Sequence, residues 1–359
     1  MKLTNHLLHK DFRLNGRSFT SKIDLLRHAE SISIPLHSVI EEWLSDTPTI
    51  ELKTSGSTGK AKVIQVEKQQ VIHSIKATSS YFDLSSGSKV LHCLPLQYVA
   101  GKIMLLRAIN MGWELDLVSP TSNPEIQPDK TYDFAAMVPL QLENSLLHLK
   151  FINKLIVGGG AVSNALKDKL SNVDCQVFET YGMTETITHI AVKPINHVHA
   201  ESYFMVLPNV EIFTDERNCL VIKAPKISKE IIVTNDVVQL ISNCKFQWLG
   251  RFDNIINSGG VKLNPEEIES HLRSILKERF FVAGMPDRKL GEKLVLVVEG
   301  QPKSAEQKVQ LIEKIKKLTI LHKYQKPKEI YFVEPFKETT SGKIQRQLTL
   351  EVHDLVPKA

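Results

Sequence analysis

The sequence predicts an α/β protein: a large N-terminal α/β domain with a β-rich subdomain, then a small C-terminal α+β domain. Three observations carry that expectation. Strand-like and helix-like segments alternate from residue 49 to 178, the pattern of a sheet with many parallel strands. Between 205 and 249 helical spacing gives way to short strand-like runs, which suggest a smaller, mostly antiparallel subdomain. Beyond 252 strands and helices alternate again, over a length that can bury a core of its own. At 359 residues the chain exceeds one ordinary core, and the expected boundary divides 1–251 from 252–359.

The elements follow in order. Asn15-Gly16 between Phe12, Leu14 and Phe19 signals a short hairpin. Leu25, Leu26, Ala29, Ile32, Val39, Ile40 and Trp43 suggest helices interrupted near Pro35. Thr49–Leu52 reads as a strand that delivers a polar glycine loop, followed by a helix at about 67–82. Strands are expected at 90–94, 114–118, 134–138, 154–157 and 175–178, with helices at 99–111, 140–149 and 162–170. Shorter strands are expected at 210–213, 220–222, 231–233, 237–241 and 246–249. In the last hundred or so residues, Asn264-Pro265-Glu266-Glu267 is a helix start, and Ser304 with Gln307 is another. Strands are expected at 281–283, 294–298 and 330–333.

Bulk properties exclude several classes. Apolar residues make up 42% and charged residues 24% of the chain, ordinary for a soluble globular protein. The formal charge of +5 is spread out except for a lysine-rich stretch at 313–328, most simply a solvated face. It suits anionic small molecules and gives little support to nucleic acid. Cys93, Cys175, Cys219 and Cys244 are widely spaced with no CxxC pair, so they read as buried apolar residues in a reducing compartment. No apolar run is long enough to span a membrane, and no apolar signal core follows Lys2; a cytoplasmic location is the default.

Chemistry concentrates in a few loops. Thr54-Ser55-Gly56-Ser57-Thr58-Gly59-Lys60-Ala61-Lys62 packs hydroxyls, glycines and lysines together. Glycines let successive N–H groups converge on an anion, and the hydroxyls and lysines add donors and charge. The spacing is not that of the Walker loop, and a solvated Ser/Gly turn is the alternative. Thr180-Tyr181-Gly182-Met183-Thr184-Glu185-Thr186 offers an aromatic face, a glycine for close approach, and a carboxylate of the kind Mg²⁺ prefers. In a parallel sheet, ligands sit beyond the carboxyl ends of the strands, which brings 54–60, 158–161 and 181–186 around one cleft.

With Gly158-Gly159-Gly160, Gly250-Arg251, Ser258-Gly259-Gly260 and Thr339-Thr340-Ser341-Gly342-Lys343-Ile344, these stretches form an ordered series. The chain resembles the adenylate-forming acyl/aryl-CoA synthetase and adenylation-domain superfamily over residues 50 to 348. The resemblance implies the adenylate-forming enzyme fold, with a mobile C-terminal domain hinged at Asp253. It implies that Thr54, Ser55, Gly56, Ser57, Thr58, Gly59 and Lys60 hold the β- and γ-phosphates of ATP, and that Gly159 and Gly160 lie against adenine and the acyl group. Tyr181 would stack on adenine beside Gly182, Thr184 and Glu185 would contact the α-phosphate and Mg²⁺, and Asp236 and Arg251 would hold the ribose. Lys343 would serve the adenylation half-reaction, and Gly259 and Gly260 would leave a path for the thiol of coenzyme A.

Departures from the family pattern are local. The lead-in before the phosphate loop is short, which implies an N-terminally abbreviated domain; Ala61 replaces the usual proline and Asn235 the usual glycine. Tyr98 stands at a histidine position of Pro95–Gly101. Tyr98, Lys102, Arg107 and His189 are the expected acid pocket. Together with Phe134–Leu142, this local pattern most resembles the branch that activates o-succinylbenzoate in menaquinone synthesis. The expected partners are a small-molecule acid, ATP, Mg²⁺ and CoA, without nucleic acid or membrane insertion, and a homo-oligomer stays open. Another aryl or acyl acid, delivery to a carrier-protein thiol, and a non-catalytic nucleotide-binding relative are the alternatives. His197 and His199 read as loop histidines.

Overall fold

The computed structural model describes residues 7–53, 63–197, 200–301, 304–338 and 344–357. Thr54–Lys60, His199 and Lys343 lie outside the described residues.

Asn15 and Gly16, at φ 50° and 79°, turn strand β1 (Arg13–Leu14) back onto β2 (Arg17–Ser18). Helices α1 (Lys22–Ile32) and α2 (Ile34–Leu44) start on Ser21 and Ser33, whose side chains accept from Asp24 N and Leu36 N. Pro35 lies in the first turn of α2, where its missing N–H would have no helical partner anyway. Strand β3 (Thr49–Lys53) stands apart from the main sheet. It pairs antiparallel with β4 (Val63–Glu67), Lys53 opposite Val63, and helix α3 (Lys68–Tyr81) begins directly after. The expected strand–loop–helix is therefore corrected to a hairpin followed by a helix. Strand β4 carries too short an apolar run beside a polar loop to announce itself.

The alternating region forms as expected: β5 (Lys89–His92), α4 (Val99–Met111), β6 (Glu114–Leu117), β7 (Tyr132–Met137), α5 (Pro139–Asn144), β8 (Ile152–Val157), α6 (Asn164–Lys169) and β9 (Gln176–Gly182). Strands β6, β5, β7, β8 and β9 lie side by side, all parallel. The helix expected at 140–149 is α5 followed by a 3₁₀ turn at Leu146–Phe151. Beyond β9 come β10 (His189–Pro194), β11 (Phe204–Val206), β12 (Glu211–Thr214), β13 (Cys219–Lys223), β14 (Ile232–Ser242) and β15 (Lys245–Arg251), paired antiparallel. They continue the same sheet, which runs β12-β13-β14-β15-β11-β10-β9-β8-β7-β5-β6-β1-β2. The two strands expected at 231–241 are one, β14, with a register shift at Val237/Val238.

A second sheet holds β16 (Ile256–Ser258), β17 (Val261–Leu263), β18 (Phe280–Asp287), β19 (Gly291–Glu299) and β20 (Glu329–Val333). It is joined by α7 (Pro265–Leu272), α8 (Ala305–Lys317) and α9 (Arg346–Val352), the last not expected. Asn264 caps α7 through Glu266 N, and Ser304 with Gln307 forms the capping box of α8. The buried apolar clusters divide the same way. Those of the large sheet draw on residues 7–246, and those of the second sheet on residues 256–350.

Candidate active site

The carboxyl ends of β7, β8 and β9 open onto one edge. Gly158 N donates to Met137 O at 3.1 Å, so the triple glycine lies beside Val138-Pro139. Thr180, Tyr181 and Gly182 belong to β9 and not to a loop, which corrects the expected strand end at 178. Gly182 has a steric reason: a Cβ there would lie 2.4 Å from Thr188 O and 2.5 Å from His189 Cα. Only a glycine lets β10 return so close. The chain then makes a 3₁₀ turn, Thr184–Thr186, latched by Thr186 Oγ1 donating to Thr188 O at 2.7 Å. Ile187 follows at φ 67° and is fully buried, a costly conformation for a β-branched residue that neighbouring packing must enforce. Strain of this kind concentrates at functional sites.

Asp236 gathers a second group. It is 7% exposed and accepts from Tyr181 Oη at 2.7 Å and from Trp248 Nε1 at 3.1 Å, with Arg251 Nη1 3.8 Å away. Burial and the adjacent Asp236 carboxylate push the Tyr181 hydroxyl up, so it stays a donor. Its ring packs edge-on against Phe246, centroids 5.1 Å apart. A carboxylate has about four acceptor positions, which leaves Asp236 capacity beyond these bonds. Trp248 was not expected in the site; a tryptophan one strand over gives no spacing signal.

The four residues expected around the acid do not stay together. Arg107 and His189 meet: Arg107 Nη2 is 3.4 Å from Thr188 Oγ1 and 3.5 Å from His189 Nδ1. Arg107 is 2% exposed and, among the described residues, its Nε has no partner. Burial alone pulls its pKa down to about 9. Burial and the neighbouring guanidinium hold His189 well below the ordinary histidine range. It is therefore neutral, and with Nδ1 facing a donor it presents Nε2–H to Thr78 Oγ1 at 3.2 Å. The expectation of a second cation there is corrected: His189 buttresses Arg107 without adding charge. Lys102 is also corrected. Its Nζ donates to Glu42 Oε2 at 2.5 Å and to Glu51 O at 2.7 Å, and so is already paired. Tyr98 is half-buried at the N-terminus of α4.

Asp253 follows β15 in a 3₁₀ turn and accepts from Arg251 Nη2 at 3.0 Å and from Asn235 Nδ2 at 3.2 Å. Gly259 and Gly260 form the turn between β16 and β17, at φ 61° and 82°. His197 Nε2 lies 3.2 Å from Cys175 O, in keeping with a loop histidine.

Glu185 is exposed, and among the described residues nothing hydrogen-bonds or pairs with it. No group of three metal-ligating side chains occurs among the described residues. A lone free carboxylate fits Mg²⁺, which takes one or two protein carboxylates and fills its shell with water and phosphate oxygens.

This edge gathers glycine turns, a buried carboxylate with acceptor capacity to spare and an exposed carboxylate. The AMP-binding enzyme family model matches residues 20–219, and the chain belongs to that family. It is 25% identical over 333 residues to the 2-succinylbenzoate–CoA ligase of Lactococcus lactis, covering 86% of this chain and 72% of that one. It is 36% identical, at a TM-score of 0.59, to the acyl-CoA synthetase (AMP-forming)/AMP-acid ligase II-like protein of Dyadobacter fermentans, covering 88% and 93%. The o-succinylbenzoate CoA synthetase of Bacillus subtilis, solved with ATP and magnesium ion, shares the fold at a TM-score of 0.68 and 18% identity, covering 94% and 83%. Among the described residues no helix is long and apolar enough to cross a membrane.

Proposed function

We propose that this protein is an ATP-dependent acid–CoA ligase that works through an acyl-adenylate in the cytoplasm, and that its acid is o-succinylbenzoate, a step of menaquinone synthesis. The observation that carries the choice of acid is Arg107: a buried guanidinium that, among the described residues, has two long neutral contacts and a nitrogen, Nε, without a partner. A buried cation in that condition is costly. An acid with a second carboxylate beside an aromatic ring would supply the missing partner in a bidentate, charge-assisted pair.

The other roles are those the family resemblance implies. Tyr181 and Gly182 would flank adenine with Gly159 and Gly160, and the spare acceptor positions of Asp236 would take the ribose hydroxyls beside Arg251. Thr184 and Glu185 would face the α-phosphate, Glu185 holding Mg²⁺. Magnesium, when bound, neutralises phosphate charge. Thr54–Lys60 would hold the β- and γ-phosphates, and Lys343 would stabilise charge as the acid attacks the α-phosphorus. Residues 1–251 and 252–359 would act as two domains turning about Asp253, withdrawing Lys343 and opening a thiol path past Gly259 and Gly260.

The test is pyrophosphate release with ATP and Mg²⁺ across o-succinylbenzoate, benzoate, a fatty acid and no acid, each with and without CoA. Release selective for o-succinylbenzoate, with a CoA thioester formed, is the expected result. Release with another acid discards the pathway and keeps the ligase; thioester formed only on a carrier protein discards CoA. Silence with every acid, in a protein that binds ATP, discards o-succinylbenzoate and favours an untested acid or the non-catalytic reading.

A further inference from the structure

Lys102 was expected to face the acid, yet the structure spends it elsewhere. Strand β3 is one half of a two-stranded sheet detached from the main one, and an isolated hairpin is marginal without other support. Its inner residues Ile50 and Leu52 are buried, but burial of alternate side chains fixes a strand's face better than its position along its own axis. That position is fixed at Glu51. Glu51 N–H donates to Glu42 Oε1 at 2.6 Å, and Glu51 O accepts from Lys102 Nζ at 2.7 Å. Glu42 and Lys102 pair with each other at 2.5 Å, closing the ring. The side chain of Glu51 is taken by Gln65 Nε2 of β4 at 3.0 Å. The two backbone groups of this one residue are captured by an ion pair acting where a third strand would.

Both sides of the clamp are stiff. Glu42 sits in α2 next to Trp43, which is fully buried and donates to Leu7 O at 2.9 Å. Lys68, 2% exposed, holds the end of α2 through Ser45 O at 2.7 Å. Lys102 rises from α4, whose residues 103–109 are all buried and include Arg107. Glu51 lies three residues before Thr54, about 10 Å of extended chain. Lys53 and Val63 are paired, so the clamp registers the departure and return points of the 54–62 stretch together.

We propose that Glu42 and Lys102 are positioning residues for ATP: they fix β3, the strand that leads into residues 54–60, and Lys102 ties β3 to the helix carrying Arg107. The inference rests on the reading of Thr54–Lys60 as the β,γ-phosphate loop. A loop held in place for two phosphates contributes to ATP binding and nothing to AMP binding, and that difference is the readout. Affinities for ATP and AMP are measured calorimetrically with Mg²⁺ for the wild type, K102M, E42Q and the double variant, each with its thermal midpoint.

The expected result is a five- to tenfold weakening of ATP in each single variant, no change for AMP, and a double variant no worse than either single. K102R, which can span both acceptors, recovers part of the loss. Equal weakening of ATP and AMP makes the clamp a general structural support and overturns the proposal. Tighter ATP binding in E42Q also overturns it, because Lys102 would then be a phosphate ligand restrained by Glu42. Unchanged ATP affinity in both singles overturns it too. A wild type that does not prefer ATP to AMP refutes the phosphate-loop reading itself, and the proposal falls with it.

Discussion

Arg107 shows how one residue can be poor for folding and useful for binding. A guanidinium that is 2% exposed and has, among the described residues, only two long contacts, of 3.4 and 3.5 Å, gives up hydration for little in return. Replacing it with methionine of similar length removes the unpaired charge, so R107M should keep or raise the thermal midpoint. The same change should raise KM for the acid 10- to 100-fold, which corresponds to the roughly 1.4–3 kcal/mol expected of a charged hydrogen-bonded pair. ATP affinity should hold. Differential scanning fluorimetry and steady-state kinetics on the same preparation check both halves. A fall in stability with KM unchanged would make Arg107 a structural residue. The sequence shows that an arginine lies eight residues into α4; it does not show that the arginine lacks a carboxylate. That depends on which strands bring Thr188 and His189 beneath it. Lys102, five residues earlier on the same helix, looks equivalent on paper and is consumed by Glu42.

At the scale of elements, the turn at Phe252–Asn254 is held by more than its neighbours in sequence. Asn235 Nδ2 contacts both oxygens of Asp253 at 3.2 Å, and Arg217 Nη1 donates to Asn235 Oδ1 at 2.9 Å while its guanidinium stacks 5.2 Å from the Phe252 ring centroid. These groups are exposed, and exposed polar contacts are worth little each. N235G should therefore leave the fold intact and free the turn, raising amide exchange at Ile255, whose N–H donates to Phe252 O, by about fivefold for a loss near 1 kcal/mol. Hydrogen exchange followed by mass spectrometry of a peptide spanning 252–258 reads it. Exchange no faster than wild type would mean that β15 alone sets the turn. Asn235 is visible in the sequence as a departure from the glycine usual in the family; its partner is not, because Arg217 reaches it from the turn between β12 and β13. Long periodic elements such as α4 were legible for the opposite reason, since their pattern is local. Strand β4 and helix α9 are short and depend on partners distant in sequence, as does the continuity of the large sheet through β11 and β15.

The protein carries buried titrating groups whose pH dependences oppose each other between the two cores. His92 is fully buried; Nε2 donates to Gly101 O at 2.9 Å and Leu94 N donates to Nδ1. Burial holds its pKa at about 4, below the usual value near 6.5 of an unfolded chain. Its contribution is complete above about pH 6.5 and is lost as pH falls toward 4, on the order of 3 kcal/mol in all. His189, also displaced downward, acts in the same direction. Glu269 in α7 is the reverse. Burial raises it to about 7 despite Arg346 at 3.1 Å and a hydrogen bond from Val282 N. Its folded form holds a proton that the unfolded form has released, so its contribution is present below about pH 4.5 and is lost as pH rises through 7. Going from pH 7 to pH 5 should weaken the unit built on residues 7–251 and strengthen the one built on 256–350. All three tryptophans, Trp43, Trp113 and Trp248, lie in the first, so tryptophan fluorescence follows that unit alone, while amide exchange in α7 and β18 follows the second. In urea the fluorescence midpoint should drop on acidification while protection of α7 increases. E269Q should remove the second trend and leave the first. A single transition, coincident by both probes and moving one way with pH, would mean that the two cores unfold as one body and would refute the division at Asp253.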